Sequence, residues 1–305
     1  MEGILPLWKP RGMTSHDCVF KLRKILQMKK IGHSGTLDPD VDGVLPICVG
    51  QATKVVEYLQ DGRKIYHGEV TLGLSTTTED SSGDVVERKR VTEPPTAQMV
   101  DDVMVSFEGE ITQIPPMYSA VKVGGKRLYQ YARQGITVER PKRQAIIYSF
   151  QRTGEPVYNE EEGTFSWAFT VECGKGTYVR TLAVDTGAKL GYPAHMSDLT
   201  RVASGGFSKE ETLSLEEVEV LMAENKLSDK LLPIERVFEA FARVELTDEQ
   251  FARVKNGAVL PEGFFAIDTL TEPYALYYQR RIIALYHAHP TKKGFLKPLK
   301  MLRNV

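Results

Sequence analysis

Ile31-Gly32-His33-Ser34-Gly35-Thr36-Leu37-Asp38-Pro39-Asp40 packs one histidine, two hydroxyl side chains and two carboxylates into a glycine-punctuated run. The spacing fits neither a helical nor a strand period, so the stretch reads as a shaped loop. Gly32 and Gly35 permit backbone angles closed to other residues, while Pro39 fixes its own φ and pushes Asp38 out of the helical region. A carboxylate on a rigid loop beside a histidine can act as a nucleophile or general base. The same residue types also make hydrophilic turns, in which Asp and Thr bond their own backbone. The flanking sequence decides between the two.

Working outward, Thr14-Ser15-His16-Asp17 has the form of a capping box, and Val19, Leu22 and Leu26 then line one face of a helix ending near Met28. Downstream, Tyr66, Gly68, Val70 and Leu72 alternate with Ile65, His67, Glu69 and Thr71, a strand that turns Tyr66 toward the interior or a cleft. Pro95 followed by Met99, Val100, Val103 and Phe107 predicts a helix with proline in its first turn. Gly124-Gly125 predicts a hairpin turn, and residues 127–133 a short helix closed by Gly135. Phe165, Trp167, Phe169, Val171 and Cys173 give the clearest strand. A helix is predicted over residues 181–190 with Arg180 near its start and Gly191 as its stop, and Ser214 with Glu217 caps another through Leu221. Helices and strands that do not alternate as βα units argue for an α+β fold with a mixed, largely antiparallel sheet.

After Leu231-Leu232-Pro233-Ile234 the texture changes. Thr247 and Gln250 cap a short helix ending at Gly257, and short strands are predicted over residues 264–267, 275–278 and 282–286. This reads as a small C-terminal β module, so the domains are residues 1–240 and 241–305.

The 305 residues suffice for a catalytic domain with a substantial core plus such a module. No apolar run approaches membrane-spanning length, and Pro6, Trp8 and Lys9 spoil a signal-peptide reading. Three widely spaced cysteines, Cys18, Cys48 and Cys173, suit free buried thiols in a reducing cytoplasm. The net charge of −1 hides an uneven distribution. Residues 118–152 carry eight Lys or Arg against one acid, and residues 280–305 carry seven and no acid, whereas residues 209–249 hold twelve acids against five bases. Two basic stretches separated by an acidic one suit an RNA-binding surface on a near-neutral protein. Gly174-Lys175-Gly176-Thr177 fails the P-loop spacing, and His287-Ala288-His289 has no cysteine or carboxylate at ligand spacing, so these read as a loop and surface histidines. Neither a metal nor an organic cofactor is expected.

The loop and its downstream block Gly43-Val44-Leu45-Pro46-Ile47-Cys48-Val49-Gly50 with Gln51-Ala52-Thr53-Lys54 resemble the signature of the tRNA pseudouridine synthase B family. That family isomerises uridine 55 in the T-loop of tRNA. Five more blocks follow the family order: Lys9-Pro10-Arg11-Gly12-Met13-Thr14-Ser15, Lys64-Ile65-Tyr66, Ile114-Pro115-Pro116-Met117-Tyr118-Ser119-Ala120-Val121-Lys122, Gly176-Thr177-Tyr178-Val179-Arg180-Thr181-Leu182, and Ala194-His195-Met196 with Leu199-Thr200-Arg201. Ser34 stands where the family usually has Thr. Thr76-Thr77-Thr78-Glu79-Asp80 is a looser form of an Asp-rich motif, and Asp80 is assigned no role.

The resemblance implies a pseudouridine synthase catalytic domain followed by a PUA-like RNA-binding domain. It assigns the acting carboxylate to Asp38 and its ion-pair partner to Arg180. Tyr66 and Tyr178 become the rings of a uracil pocket, with Tyr66 grouped among the catalytic residues, Leu199 its apolar contact, and His33 the residue filling the space left by the flipped base. Asp38 can attack the anomeric carbon, add to C6, or remove the sugar 2′ proton. The implied partner is tRNA, through T-loop and stem, read by a monomer without guide RNA. A non-catalytic tRNA-binding or folding protein on the same scaffold is the rival class, and retention of Asp38, Arg180 and Tyr66 speaks against it. The guide-RNA-dependent synthases of archaea and eukaryotes are a narrower alternative.

Overall fold

A computed structural model describes residues 1–265 and 273–303. The chain runs through β1 (Gly3–Lys9), α1 (Ser15–Ile25), β2 (Ile31–His33), β3 (Asp42–Val49) and β4 (Lys64–Leu72). It continues through α2 (Ala97–Val105), β5 (Gly109–Gln113), β6 (Arg143–Asn159), β7 (Thr164–Cys173), α3 (Val179–Lys189), β8 (Ala194–Ser204) and α4 (Leu215–Ala223). Among the described residues the main sheet has nine strands in the order β1-β3-β8-β4-β7-β6-β5, with β2 beside β3 and a short strand beside β8. Its pairings are antiparallel except one: β8 runs parallel to β3, with Thr200 opposite Asp42 and Arg201 opposite Gly43. The fold is therefore the α+β arrangement with a mixed, largely antiparallel sheet that the sequence predicts.

That single parallel pairing places the site. The loop between β2 and β3 carries Asp38, and β8 lies directly against the start of β3. Gly43 makes the approach possible: its φ is +126°, and a Cβ there would sit 2.2 Å from the Arg201 carbonyl oxygen.

Alternation explains the sheet's burial. Phe165, Trp167, Phe169, Val171 and Cys173 on β7 share one core with Tyr66, Val70 and Leu72 on β4. Full burial of a large apolar side chain contributes about 1.5–3 kcal/mol, so this face alone fixes the register. Helix α1 begins as its sequence specifies: Thr14 accepts from the Asp17 N–H while the Asp17 carboxylate accepts from the Thr14 N–H. Gly124 and Gly125 turn a hairpin at φ +56° and +84°, between the paired residues 122–123 and 126–127.

Three local expectations need correction. Ile31–His33 is a strand, pairing Ile31 with Val49 and His33 with Ile47, so only the residues after His33 form the irregular loop. The neighbouring edge of β3 offered free backbone groups that local periodicity does not reveal. Pro95 precedes the first turn of α2, because Thr96 caps that helix by accepting from the Met99 N–H. The predicted strand over residues 264–267 is not one at Phe264, which ends a short 3-10 turn, and residues 266–267 lie outside the described residues.

The C-terminal part folds as β9 (Ala242–Glu245), α5 (Asp248–Val254), β10 (Leu260–Pro261), β11 (Tyr274–Tyr278), β12 (Arg281–Ala288) and β13 (Phe295–Met301). The helix ends at Val254, short of Gly257, whose N–H bonds the Val254 carbonyl in the turn that follows. The strands form a separate sheet in the order β9-β11-β12-β13-β10. This module does not stand free. Ala275, Tyr277, Ile282, Leu285 and Leu302 pack in one cluster with Ile4, Val44, Leu59, Ile234 and Phe238 of the main body.

Candidate active site

Asp38 is positioned by bonds to the residues on either side of it. The fully buried Lys9 ammonium donates to the carbonyl oxygens of Pro10 at 2.8 Å, Met13 at 2.6 Å and Pro39 at 3.0 Å. The Gly12 N–H reaches the same Pro39 oxygen at 2.9 Å. On the other side, the Ser15 hydroxyl accepts from the Leu37 N–H at 2.9 Å, and Arg201 donates to the Gly35 carbonyl at 3.4 Å. The backbone is thus tied at positions 35, 37 and 39, and the carboxylate between them is aimed without a covalent constraint. The segment from Lys9 through Ser15 supplies most of that aim.

Arg180 meets Asp38 as a fork. Its Nε lies 3.0 Å from one carboxylate oxygen and its Nη2 3.3 Å from the other. Such bidentate pairs are stronger and more directional than single charge contacts. The guanidinium is itself caged: it donates to the Thr78 carbonyl at 2.8 Å and the Tyr118 carbonyl at 2.9 Å, and Asp80 stands 3.8 Å away. Asp80, which the sequence left without a role, is therefore a second carboxylate at the same cation. It is held by the Thr78 and Ser82 hydroxyls, both at 2.6 Å.

Burial raises the Asp38 pKa above the ordinary aspartate value, Arg180 works against that rise, and Asp80 adds to it. The Asp38 side chain keeps 39% exposure while that of Arg180 keeps 8%. The open side of the carboxylate faces a cavity of about 230 Å³, lined by Asp38, Asp80, Met196, Leu199 and Arg11 among others. That space admits a planar base, and Leu199 supplies an apolar wall.

The two tyrosines approach from different elements. Tyr66 sits on β4 between Val171 of β7 and Arg201 of β8. Its hydroxyl pKa is raised by burial, with the charge of the neighbouring Arg201 opposing the rise. Tyr178 precedes α3, its backbone clasped by the Gln113 side chain, which accepts from its N–H at 2.9 Å and donates to its carbonyl at 3.1 Å. The Asp38 charge is felt at both phenols. Neither tyrosine is among the residues lining the cavity.

His33 ends β2, and its Nδ1 accepts from the Gly35 N–H at 3.3 Å. Burial lowers its pKa, and the charges of Arg201 and His16 lower it too. Of the residues the sequence singles out, Asp38, Arg180 and Leu199 converge, the tyrosines adjoin them, and His33 stands at the entrance of the loop, bonded to Gly35.

Arg201 is the residue that sequence reasoning underused. It is 1% exposed and donates to the Val44 carbonyl at 2.8 Å as well as to Gly35. Its place in the Leu199-Thr200-Arg201 block was the available signal. His287 and His289 are both partly exposed.

A carboxylate clamped by a guanidinium beneath a base-sized cavity suits chemistry at a nucleotide, and comparison with known proteins supplies the class. Residues 23–179 match the N-terminal domain of TruB family pseudouridylate synthases, and residues 180–239 match the tRNA pseudouridylate synthase B C-terminal domain. Fold and site together define a pseudouridine synthase.

The chain belongs to the TruB family. It is 56% identical over 306 residues to the tRNA pseudouridine synthase B of Halalkalibacterium halodurans, covering 100% of this chain and 98% of that one. Identity to the protein of the same name from Bacillus licheniformis is 55% over 303 residues, covering 99% and 97%. Among solved structures, a chain of a Cbf5-Nop10-Gar1 complex superposes with a TM-score of 0.73 at 28% identity, covering 99% of this chain and 85% of that one. A chain of an H/ACA RNP bound to a substrate RNA containing 2′-deoxyuridine gives 0.72 at 26%, with the same coverage.

Proposed function

We propose that this chain converts the T-loop uridine of tRNA to pseudouridine, with Asp38 as the acting carboxylate. The observation that carries the reading is the bidentate Arg180–Asp38 pair, at 3.0 and 3.3 Å, whose carboxylate lines the cavity. The names of the near full-length relatives supply tRNA as the substrate. The reaction breaks the bond from N1 to the sugar, rotates the uracil, and rejoins it through C5. N1 ends protonated and the C5 proton leaves, so the uracil is both leaving group and returning nucleophile and no redox partner is needed. Arg180 favours the charged form of Asp38 by direct pairing.

The target base leaves its stack at a cost of a few kcal/mol. Tyr66 and Tyr178 provide the ring surfaces for it, Leu199 the apolar wall, and His33, kept neutral by burial, fills the vacated position. Residues 1–240 perform this chemistry, while residues 241–305 act as a PUA-like RNA-binding module whose basic residues meet the tRNA stem. The enzyme acts in the cytoplasm as a monomer without guide RNA. Three buried, unpaired thiols suit a reducing compartment. Identity of 56% to a synthase B relative, against 28% to the Cbf5 chain, supports the stand-alone form. A protein that only binds tRNA has no use for a carboxylate held in this cage.

Incubation of the purified protein with unmodified tRNA transcript, followed by nucleoside mapping, tests the reading. Pseudouridine in the T-loop alone supports it; conversion elsewhere, or none, overturns it.

A further inference from the structure

Among the described residues, five that are not glycine have positive φ, and four have ordinary reasons. Gln27 and Asn225 follow helix ends, and Gln279 with Arg280 forms the tip of the β11–β12 hairpin. Glu79, at φ +64°, is the fifth, and it lies beside the catalytic arginine. A left-handed conformation at a side chain of this size persists only when its surroundings enforce it.

The enforcing contacts are specific. The Glu79 carbonyl accepts from the Met196 N–H at 3.0 Å, anchoring this turn to β8. One carboxylate oxygen accepts from the Thr181 hydroxyl at 2.9 Å, the residue next to Arg180 on α3. The other lies 3.7 Å from Arg140 Nη1. Arg140 in turn donates to the Pro115 carbonyl at 3.0 Å. Residues 115 and 140 bracket most of the basic segment, and Tyr118 within it supplies one of the carbonyls that cage Arg180. The residue before Glu79, Thr78, supplies the other. Glu79 is therefore the point where the turn carrying one half of the arginine cage is fastened to the segment carrying the other half. Its groups of like and opposite charge are Arg180, Arg140 and Asp185, and burial raises its pKa.

We infer that Glu79 is a positioning residue: through Arg140 it latches the basic 115–140 segment to the cage around Arg180, so that the seating of this segment on RNA and the alignment of the Asp38–Arg180 pair are coupled. The inference rests on the reading of Asp38 and Arg180 as the catalytic pair. The latch is an ion pair on one side and a hydrogen bond from a hydroxyl on the other, which separates its two functions by mutation. Glu79→Gln keeps an acceptor for Thr181 and loses the charge that draws Arg140, whereas Glu79→Ala loses both.

The test measures single-turnover conversion of a T-stem-loop RNA at saturating enzyme, together with RNA affinity, for Glu79→Gln, Glu79→Ala, Arg140→Ala and the double variant. Glu79→Ala should slow the rate by about tenfold or more with affinity within about twofold of wild type. Glu79→Gln should fall between the two. Arg140→Ala, a change at a partly exposed side chain, should also slow the saturated rate whatever it does to affinity. The double variant should be no slower than the slower single one, because both remove the same latch. If Glu79→Ala fails to fold, Glu79→Gln and Arg140→Ala still decide the matter. A wild-type rate in both, or effects of Glu79→Ala and Arg140→Ala that multiply in the double variant, would overturn the inference. Asp38→Asn in the same assay keeps the questions apart: if it retains activity, the catalytic pair itself is misread.

Discussion

In the proposed mechanism Asp38 has to remain charged where it lines a pocket, and the residues around it bear on that charge. Its pKa is raised by burial, opposed by Arg180 and pushed up again by Asp80. If the active form is the carboxylate, as proposed, activity should be present above the folded pKa and lost as pH falls through it. The acid limb of the single-turnover rate should have its midpoint above the ordinary aspartate value of about 3.9; a midpoint at or below that value contradicts this electrostatic picture. Arg180→Lys keeps the charge but cannot span both oxygens of Asp38. Misalignment of a reacting group by about 1 Å costs on the order of 100-fold, so that loss of rate is expected with RNA affinity unchanged. Normal turnover with weakened binding would make Arg180 a phosphate contact instead. The sequence exposed Asp38 and Arg180 because each sits in a distinctive block. Arg201 and Asp80 escaped notice because their importance comes from what lies across from them. No spacing along the chain announces that β8 runs parallel to β3, or that residues 78–80 fold over the start of α3.

At the scale of elements, local signals worked where the period was unbroken. Helix α1 shows its capping box, and β4 and β7 alternate cleanly against one core. Strands β6 and β8 were invisible for a physical reason. Each carries register shifts, at Ile147/Ser149 and Thr153/Val157 in β6 and at Met196/Asp198 and Arg201/Ala203 in β8. A bulge inserts a residue and inverts the inward-outward sequence, so a period-2 search loses the strand at that point. The bulge at Arg201/Ala203 belongs to the same strand that places Arg201 under Tyr66. The loop between β2 and β3 depends equally on distant partners, above all on Lys9. Lys9→Met leaves the carbonyls of Pro10, Met13 and Pro39 without that donor, which should cost roughly 1–3 kcal/mol of stability. The single-turnover rate should fall with it, because Pro39 adjoins Asp38. Thermal unfolding and conversion of a stem-loop RNA check both halves; an unchanged rate in the folded variant would show that the loop holds its shape without Lys9.

At the scale of the molecule, the change in texture near residue 240 located the second sheet but not its attachment. The run Ile282-Ile283-Ala284-Leu285-Tyr286 is buried throughout β12. Ile282 and Leu285 face the main body while Ile283, Ala284 and Tyr286 face the module's own core. A continuous apolar strand of this kind reports burial on both faces, and read that way it would have foretold a shared core. Glu235 fastens the same junction, accepting from the Ile282 N–H at 2.9 Å and pairing with Arg303. Burial alone would raise its pKa, but the Arg303 bond and the backbone donors bring it below the ordinary glutamate value of 4.5. Its stabilisation is thus present above that value and lost as pH falls through the folded pKa. Glu235→Gln should lower Tm at neutral pH, with the difference from wild type shrinking as pH falls through the lowered folded pKa; a difference that persists unchanged into acid would remove Glu235 as the linked group. The whole molecule in this account is a scaffold that delivers one carboxylate to one flipped uridine. Comparing Asp38→Asn with wild type in single-turnover conversion and binding of unmodified tRNA tests that most directly. The account predicts no detectable pseudouridine at tRNA affinity within about twofold of wild type, and residual conversion within about tenfold of wild type would contradict it.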